Sequence, residues 1–154
     1  MPTITVHART TAPADRVIAE LTNFTDLERR LAVWPNLDRA HLSVHAIGPD
    51  WAEVTEGSGF VGGVWERLRY DWRTPGTVTL TVLDGNAFAA GGTWTYRIGA
   101  APGGAEVHLT VHRVPAALKG RLLSIPLTLL GHRIFAADLR QSLQHIERDA
   151  PAPT

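Results

Sequence analysis

The chain has no cysteine. That excludes disulfides, thiolate catalysis, zinc ribbons and iron–sulfur clusters together, and it fits a reducing compartment. It also lacks an excess of either charge: 15 Lys and Arg offset 15 Asp and Glu, so nothing draws it electrostatically toward DNA, RNA or anionic membranes. No apolar run approaches the ~20 residues that span a bilayer. No apolar stretch follows a basic start, as a secretory leader requires, so Asn23-Phe24-Thr25 reads as a chance sequon. These absences predict a soluble, cytoplasmic protein with no nucleic-acid partner, no stable membrane insertion and no cofactor. A length of 154 residues predicts one domain over 1–154. At that size folding buries roughly 70% of the unfolded surface, enough for a core without crosslinks.

What is present is alternation. Ile4, Val6 and Ala8 alternate with Thr5, His7 and Arg9, the period of a half-buried strand. Pro13 suits the first turn of a helix carrying Val17, Ile18 and Leu21. Thr25 or Asp26 caps a second short helix that ends before Trp34-Pro35. From Asp38 to Arg113 strands and turns follow one another: Leu42–Ala46, Trp51–Glu56, Val64–Trp72, Val78–Val82, Thr93–Ile98 and Val107–Val111. Gly48-Pro49-Asp50, Thr74-Pro75-Gly76, Asp84-Gly85-Asn86 and Ala101-Pro102-Gly103-Gly104 punctuate them. Strands joined by such short turns are antiparallel. Ala116–Asp149 then has helical period, with Phe135, Leu139, Leu143 and Ile146 on one stripe. Pro126 is expected to kink or break this helix. Leu122–Leu130, apolar on nearly all sides, is expected to be enclosed by protein. The order predicts an α+β fold of about seven antiparallel strands, two short helices after the first strand and a long C-terminal helix. The helix must bury its stripe on the concave face of the sheet.

The order and its punctuation resemble the START-like/polyketide-cyclase superfamily (SRPBCC), which includes the birch-pollen allergens. The resemblance rests on Ala12-Pro13-Ala14-Asp15-Arg16-Val17, Trp34-Pro35, Trp72-Arg73-Thr74-Pro75, Gly92-Thr93-Trp94 and Gly104-Ala105-Glu106-Val107, and it covers nearly the whole chain. It implies a helix-grip fold, a curved sheet wrapped around the long helix, with a hydrophobic cavity between them. It implies no single activity, because the superfamily holds lipid carriers, hormone receptors, aromatase/cyclases and chaperone co-factors. Nor does it supply a catalytic motif to carry over.

Candidate residues are few. Gly57-Ser58-Gly59-Phe60-Val61-Gly62 spells G-x-G-x-x-G, but a dinucleotide site needs a helix to start at those glycines, and a strand follows instead. His41/His45 and His108/His112 are spaced i, i+4, which on a strand separates the rings by ~13 Å. With His7 they read as a solvent face, and no metal site is assigned. Glu66 shares parity with Val64, Leu68, Tyr70 and Trp72. It is the one candidate acid/base, since a carboxylate in an apolar pocket has a raised pKa. Two readings stay open: Glu66 inward, or a parity flip at Gly62-Gly63 that turns Trp65 inward and solvates Glu66, which is the preferred expectation. Arg67, Arg69 and Arg73 are expected to pair with acidic neighbours on adjacent strands. Arg113 either reaches the cavity to meet a ligand carboxylate or sits on its rim. Trp94 and Tyr96 suit flat hydrophobic ligands.

The ligand-lining set expected is Trp34, Leu68, Tyr70, Trp94, Tyr96, Leu109, Arg113, Leu130, Ile134 and Phe135. The function expected is binding or transport of a small hydrophobic, lipid- or polyketide-like molecule. The alternatives are a polyketide cyclase/dehydratase and a protein-interaction module of the chaperone ATPase-activator type. Monomer and homodimer both stay open.

Overall fold

Alternation along the chain becomes a single antiparallel sheet in the computed structural model, which describes residues 3–58, 63–114 and 118–148 (for 118–120 and 123–129 the backbone alone). The elements are β1 (Thr3–Thr10), α1 (Ala14–Leu21), α2 (Leu27–Val33), β2 (Ser43–Ile47), β3 (Trp51–Ser58), β4 (Val64–Asp71), β5 (Thr77–Gly85), β6 (Thr93–Ala101), β7 (Gly104–His112) and α3 (Leu118–Arg148). A short 3-10 turn, Arg39–His41, precedes β2. The strand order is β1-β7-β6-β5-β4-β3-β2. First and last strands therefore pair, Val6 opposite Leu109 and His7 opposite His108.

Local chemistry sets the boundaries. Pro13 is the N-cap of α1 in extended conformation, and the Asp26 carboxylate accepts from Arg29 N–H at the start of α2. Between β4 and β5, Gly76 takes φ +73° and Thr77 N–H closes on Thr74 O at 3.1 Å. Proline followed by a positive-φ glycine is the pairing that a tight reversal of this kind favours.

The inward parity of the strands meets α3. Val54, Val78, Val82, Val107 and Val111 are fully or almost fully buried, as are Leu143 and Ile146, with Phe135 and Leu139 close behind. Burying each such side chain stabilises the fold by ~1.5–3 kcal/mol. The far end of α3 is tied down as well: Glu147 Oε1 accepts from Thr10 Oγ1 at 2.7 Å and from Thr11 N–H at 3.1 Å.

Two expectations about α3 are corrected. The helix runs unbroken through Pro126. Leu122 and Leu130 are not enclosed; they are 59% and 49% exposed. A helix lying across a sheet buries one side only, so a run apolar all round must show some of its residues to solvent. The glycine-rich segment joins β3 to β4, which pair antiparallel. Strands on both sides deny it the helix a dinucleotide site requires, and residues 59–62 themselves lie outside the described residues.

Candidate functional site

Between the concave face and α3 lies a cavity of about 230 Å³. Leu68, Leu80, Tyr70, Tyr96, Trp94 and Phe135 give it an apolar wall. Asn36 and Ile134, both exposed, border it where it meets solvent.

The wall also carries two carboxylates. Glu56 on β3 and Glu66 on β4 are each 5% exposed and face each other directly in the strand register. Like charges directly opposite on one face of a sheet repel, and burial removes the water that would screen them. Each is met by its own arginine from outside the hairpin.

Arg30, on α2 and 1% exposed, approaches Glu56 in a two-pronged fashion, Nε to Oε2 at 3.0 Å and Nη2 to Oε1 at 3.2 Å. Its Nη2 also donates to the Tyr70 hydroxyl at 2.8 Å, and Nη1 donates to Leu21 O and Asn23 O at 3.0 and 3.3 Å. Every guanidinium nitrogen is thus committed. The guanidinium also lies 4.4 Å from the centre of the Phe24 ring. Burial opposes its charge, but Glu56 and Tyr70 outweigh burial and hold its pKa above the ordinary value. The Tyr70 hydroxyl donates in turn to Glu56. Burial, reinforced by the Glu56 charge, pushes the Tyr70 phenol well up. The Tyr96 phenol is also raised, first by burial and then by Asp138 and Glu56.

Arg113, just past β7, is held differently. Only Nη1 bonds Glu66, and to one carboxylate oxygen. Its guanidinium lies 4.3 Å from the Phe88 ring centre and 4.8 Å from that of Trp94, and Phe135 meets Trp94 edge to face at 5.2 Å. Nε of Arg113, Nε1 of Trp94 and Oγ of Ser142 are buried without a hydrogen-bond partner among the described residues. Asp138 on α3 takes a hydrogen bond from Asn36 Nδ2; burial raises its pKa despite that bond.

Of the residues expected in the lining, Trp34, Leu68, Tyr70, Trp94, Tyr96, Arg113, Ile134 and Phe135 border the cavity. Leu109 packs in the core opposite Tyr96, and Leu130 points to solvent; neither borders it. Glu66 faces inward, contrary to the preferred expectation of a parity flip. The irregularity near it lies one strand over, where the β4–β5 register shifts between Arg67 and Leu68, so β4 keeps its alternation. Arg113 sits deeper than a rim, its side chain 13% exposed, and meets Glu66 rather than solvent. Arg67 and Arg69 on β4 pair with Glu53 on the adjacent β3, as expected, whereas Arg73, just past β4, meets Asp50 in the turn before β3 and Asp71 at the end of β4 itself. His7 and His108 stack across β1 and β7 at 5.6 Å, and no cluster of three metal-ligating side chains occurs among the described residues. Trp34 lines the cavity while its indole N–H donates to Glu20 O at 3.4 Å.

Two solved structures superpose on nearly the whole chain. A protein of Thermus thermophilus is 17% identical, with 97% of this chain and 100% of that one covered and a TM-score of 0.78. The Zhui aromatase/cyclase of Streptomyces sp. R1128 is 18% identical over 98% and 96%, also with a TM-score of 0.78. The chain has the START-like helix-grip fold. A START superfamily protein of Mycobacterium smegmatis shares it at 12% identity, covering 92% and 98% with a TM-score of 0.62. No family model matches the sequence, and no curated protein does. At these identities the START-like likeness fixes the fold and leaves the chemistry to the residues of this chain.

Sequence reasoning missed Arg30, Glu56, Asn36, Asp138 and Ser142. A signal was present for Glu56, which shares the parity of Ala52 and Val54, both fully buried.

Proposed function

We propose that the protein binds one small, largely apolar molecule in the cavity, as a carrier or sensor. The observation that carries this reading is a space of about 230 Å³ between the sheet and α3, open to solvent on one side and walled mainly by apolar and aromatic side chains. A concave, mostly apolar space with a few convergent polar groups is the usual form of a small-molecule site, and an interaction module has no need of one. The size argues against a long lipid: drug-sized ligands occupy pockets of ~300–1,000 Å³, so a one- or two-ring compound fits better. Affinity would come from apolar area, at ~25 cal/mol per Å² removed from water before ordering costs. The cyclase reading has an inward Glu66 in its favour, but one oxygen of that carboxylate is engaged by Arg113. Native mass spectrometry of the purified protein, before and after exposure to a hydrophobic extract, tests the proposal. A retained small mass supports it; a clean apo mass under both conditions overturns it.

A further inference from the structure

The two arginine–glutamate pairs in the cavity wall are chemically unequal. Arg30 has spent every nitrogen on Glu56, Tyr70 and two backbone carbonyls, so it has no donor left for a guest. Arg113 has committed only Nη1; its Nε is buried out of a guest's reach, which among the described residues leaves Nη2 as the free donor. Glu66 has given one oxygen of two. This pair therefore keeps donor and acceptor capacity side by side. It borders the cavity next to Trp94 and Phe135, whose rings stand edge to face, and the guanidinium is itself stacked on the rings of Phe88 and Trp94.

A group that suits both halves of such a pair donates and accepts through one atom. A hydroxyl does this: its proton goes to the carboxylate and its lone pair takes a guanidinium N–H. An anion does not. It satisfies Arg113 but adds a negative charge beside Glu66, which already faces Glu56 across the strand pair. Like charge at close range in a desolvated site is strongly unfavourable. The aromatic walls select the rest of the guest, since rings pack best against offset or edge-on rings.

We propose that the Glu66–Arg113 pair is the polar subsite of the cavity, and that it takes the neutral hydroxyl of a flat ring compound, a phenol or enol rather than a carboxylate. The inference rests on the cavity being a binding site.

The test is calorimetric titration with three probes on one skeleton, naphthalene, 2-naphthol and 2-naphthoate, at neutral pH. Wild type binds naphthol about 10-fold or more tighter than naphthalene, the factor expected of a hydrogen bond to a charged group, and naphthoate weakest. Glu66→Gln leaves Arg113 without its counter-charge, so the order inverts and naphthoate becomes the tightest. The double variant Glu66→Gln/Arg113→Gln holds no unpaired charge, which protects folding, and its preference for naphthol over naphthalene shrinks toward unity. Circular dichroism checks that each variant is folded. Equal binding of all three probes by wild type overturns the subsite and leaves the cavity reading standing. A folded Glu66→Gln that still rejects naphthoate overturns it too. Binding of none of the three removes the cavity reading and the subsite with it.

Discussion

Removing Arg30 should be far more costly than removing its partner along with it. Arg30→Met deletes a guanidinium that is 1% exposed and leaves the Glu56 carboxylate buried at 5% exposure without a counter-charge. Breaking a buried pair from one side costs ~3–5 kcal/mol. The carbonyls of Leu21 and Asn23 lose a donor in the same step, so the upper part of that range is expected. For a chain of this length each kcal/mol moves Tm by ~2–4 °C, which predicts a fall of roughly 6–20 °C. Replacing both members, Arg30→Met with Glu56→Leu, removes the stranded charge. Apolar replacements of whole buried pairs are often neutral or better, though here the Tyr70 hydroxyl would lose both partners at ~1–3 kcal/mol. Adding Tyr70→Phe removes that penalty as well. The expected stability order is therefore Arg30→Met lowest, the double variant above it and the triple variant higher still. Urea unfolding reads it out, with the midpoint shifting at constant slope. An Arg30→Met cost below about 1 kcal/mol, or a double variant no more stable than Arg30→Met, would refute the view that burial makes the pair interdependent.

The same geometry makes stability depend on pH and on single glycines. The chain has two tyrosines, and both phenols are raised above the ordinary 10.0. Above pH 10 the unfolded state releases protons that the native state keeps, so stability, complete below that pH, should fall as pH rises toward the native values, by up to ~1.4 kcal/mol per pH unit for each tyrosine. Near-ultraviolet absorbance should show tyrosinate forming only together with unfolding; a separate earlier titration would contradict this. Asp138, raised from 3.8 by burial, contributes stability that is complete below 3.8 and lost as pH rises through its native value. Asp138→Asn should accordingly raise Tm at neutral pH, and the gain should vanish in acid; thermal melts across that range decide it. Finally, a Cβ at Gly57 would meet Val64 O at 2.4 Å, whereas one at Gly99 would meet nothing within 4 Å. Gly57→Ala should cost ~1–3 kcal/mol and Gly99→Ala should stay within ~0.5 kcal/mol of wild type, both read from urea midpoints.

Strand alternation was legible because period two is enforced by the pleat at every residue. Val78, Leu80 and Val82, or Val107, Leu109 and Val111, announce one buried face whatever lies opposite. Phe135, Leu139, Leu143 and Ile146 announce the helix stripe in the same way. Reading failed where an element's surroundings decide. Leu122 and Leu130 carry no mark that distinguishes a covered leucine from an open one. Gly62-Gly63 offered a reason for a parity flip, but β4 alternates straight from Glu66 to Leu68 and Tyr70, and the register shift falls between β4 and β5 instead.

The polar wall was the least legible part, and the reason is that its partners are remote. Arg29 and Arg30 are adjacent in α2, yet one reaches Glu20 on α1 and the other Glu56 on β3. What separates them is helical position: Arg30 lies three residues after Leu27 and three before Val33, on the apolar side. Glu56 and Glu66 carry the matching strand signal, a charge on the inward parity. That pattern twice in one hairpin says that two cations must come from elsewhere, because two buried carboxylates facing each other cannot both stay charged unaided. The sequence does not say which of its arginines will come. Arg30 arrives across 26 residues and Arg113 across 47. The saturated partner makes Glu56 part of the scaffold, and the partly committed one leaves Glu66 able to meet a guest. The functional distinction within the cavity therefore lies in how fully each arginine is hydrogen-bonded, a property of the assembled fold that no local pattern of residues encodes.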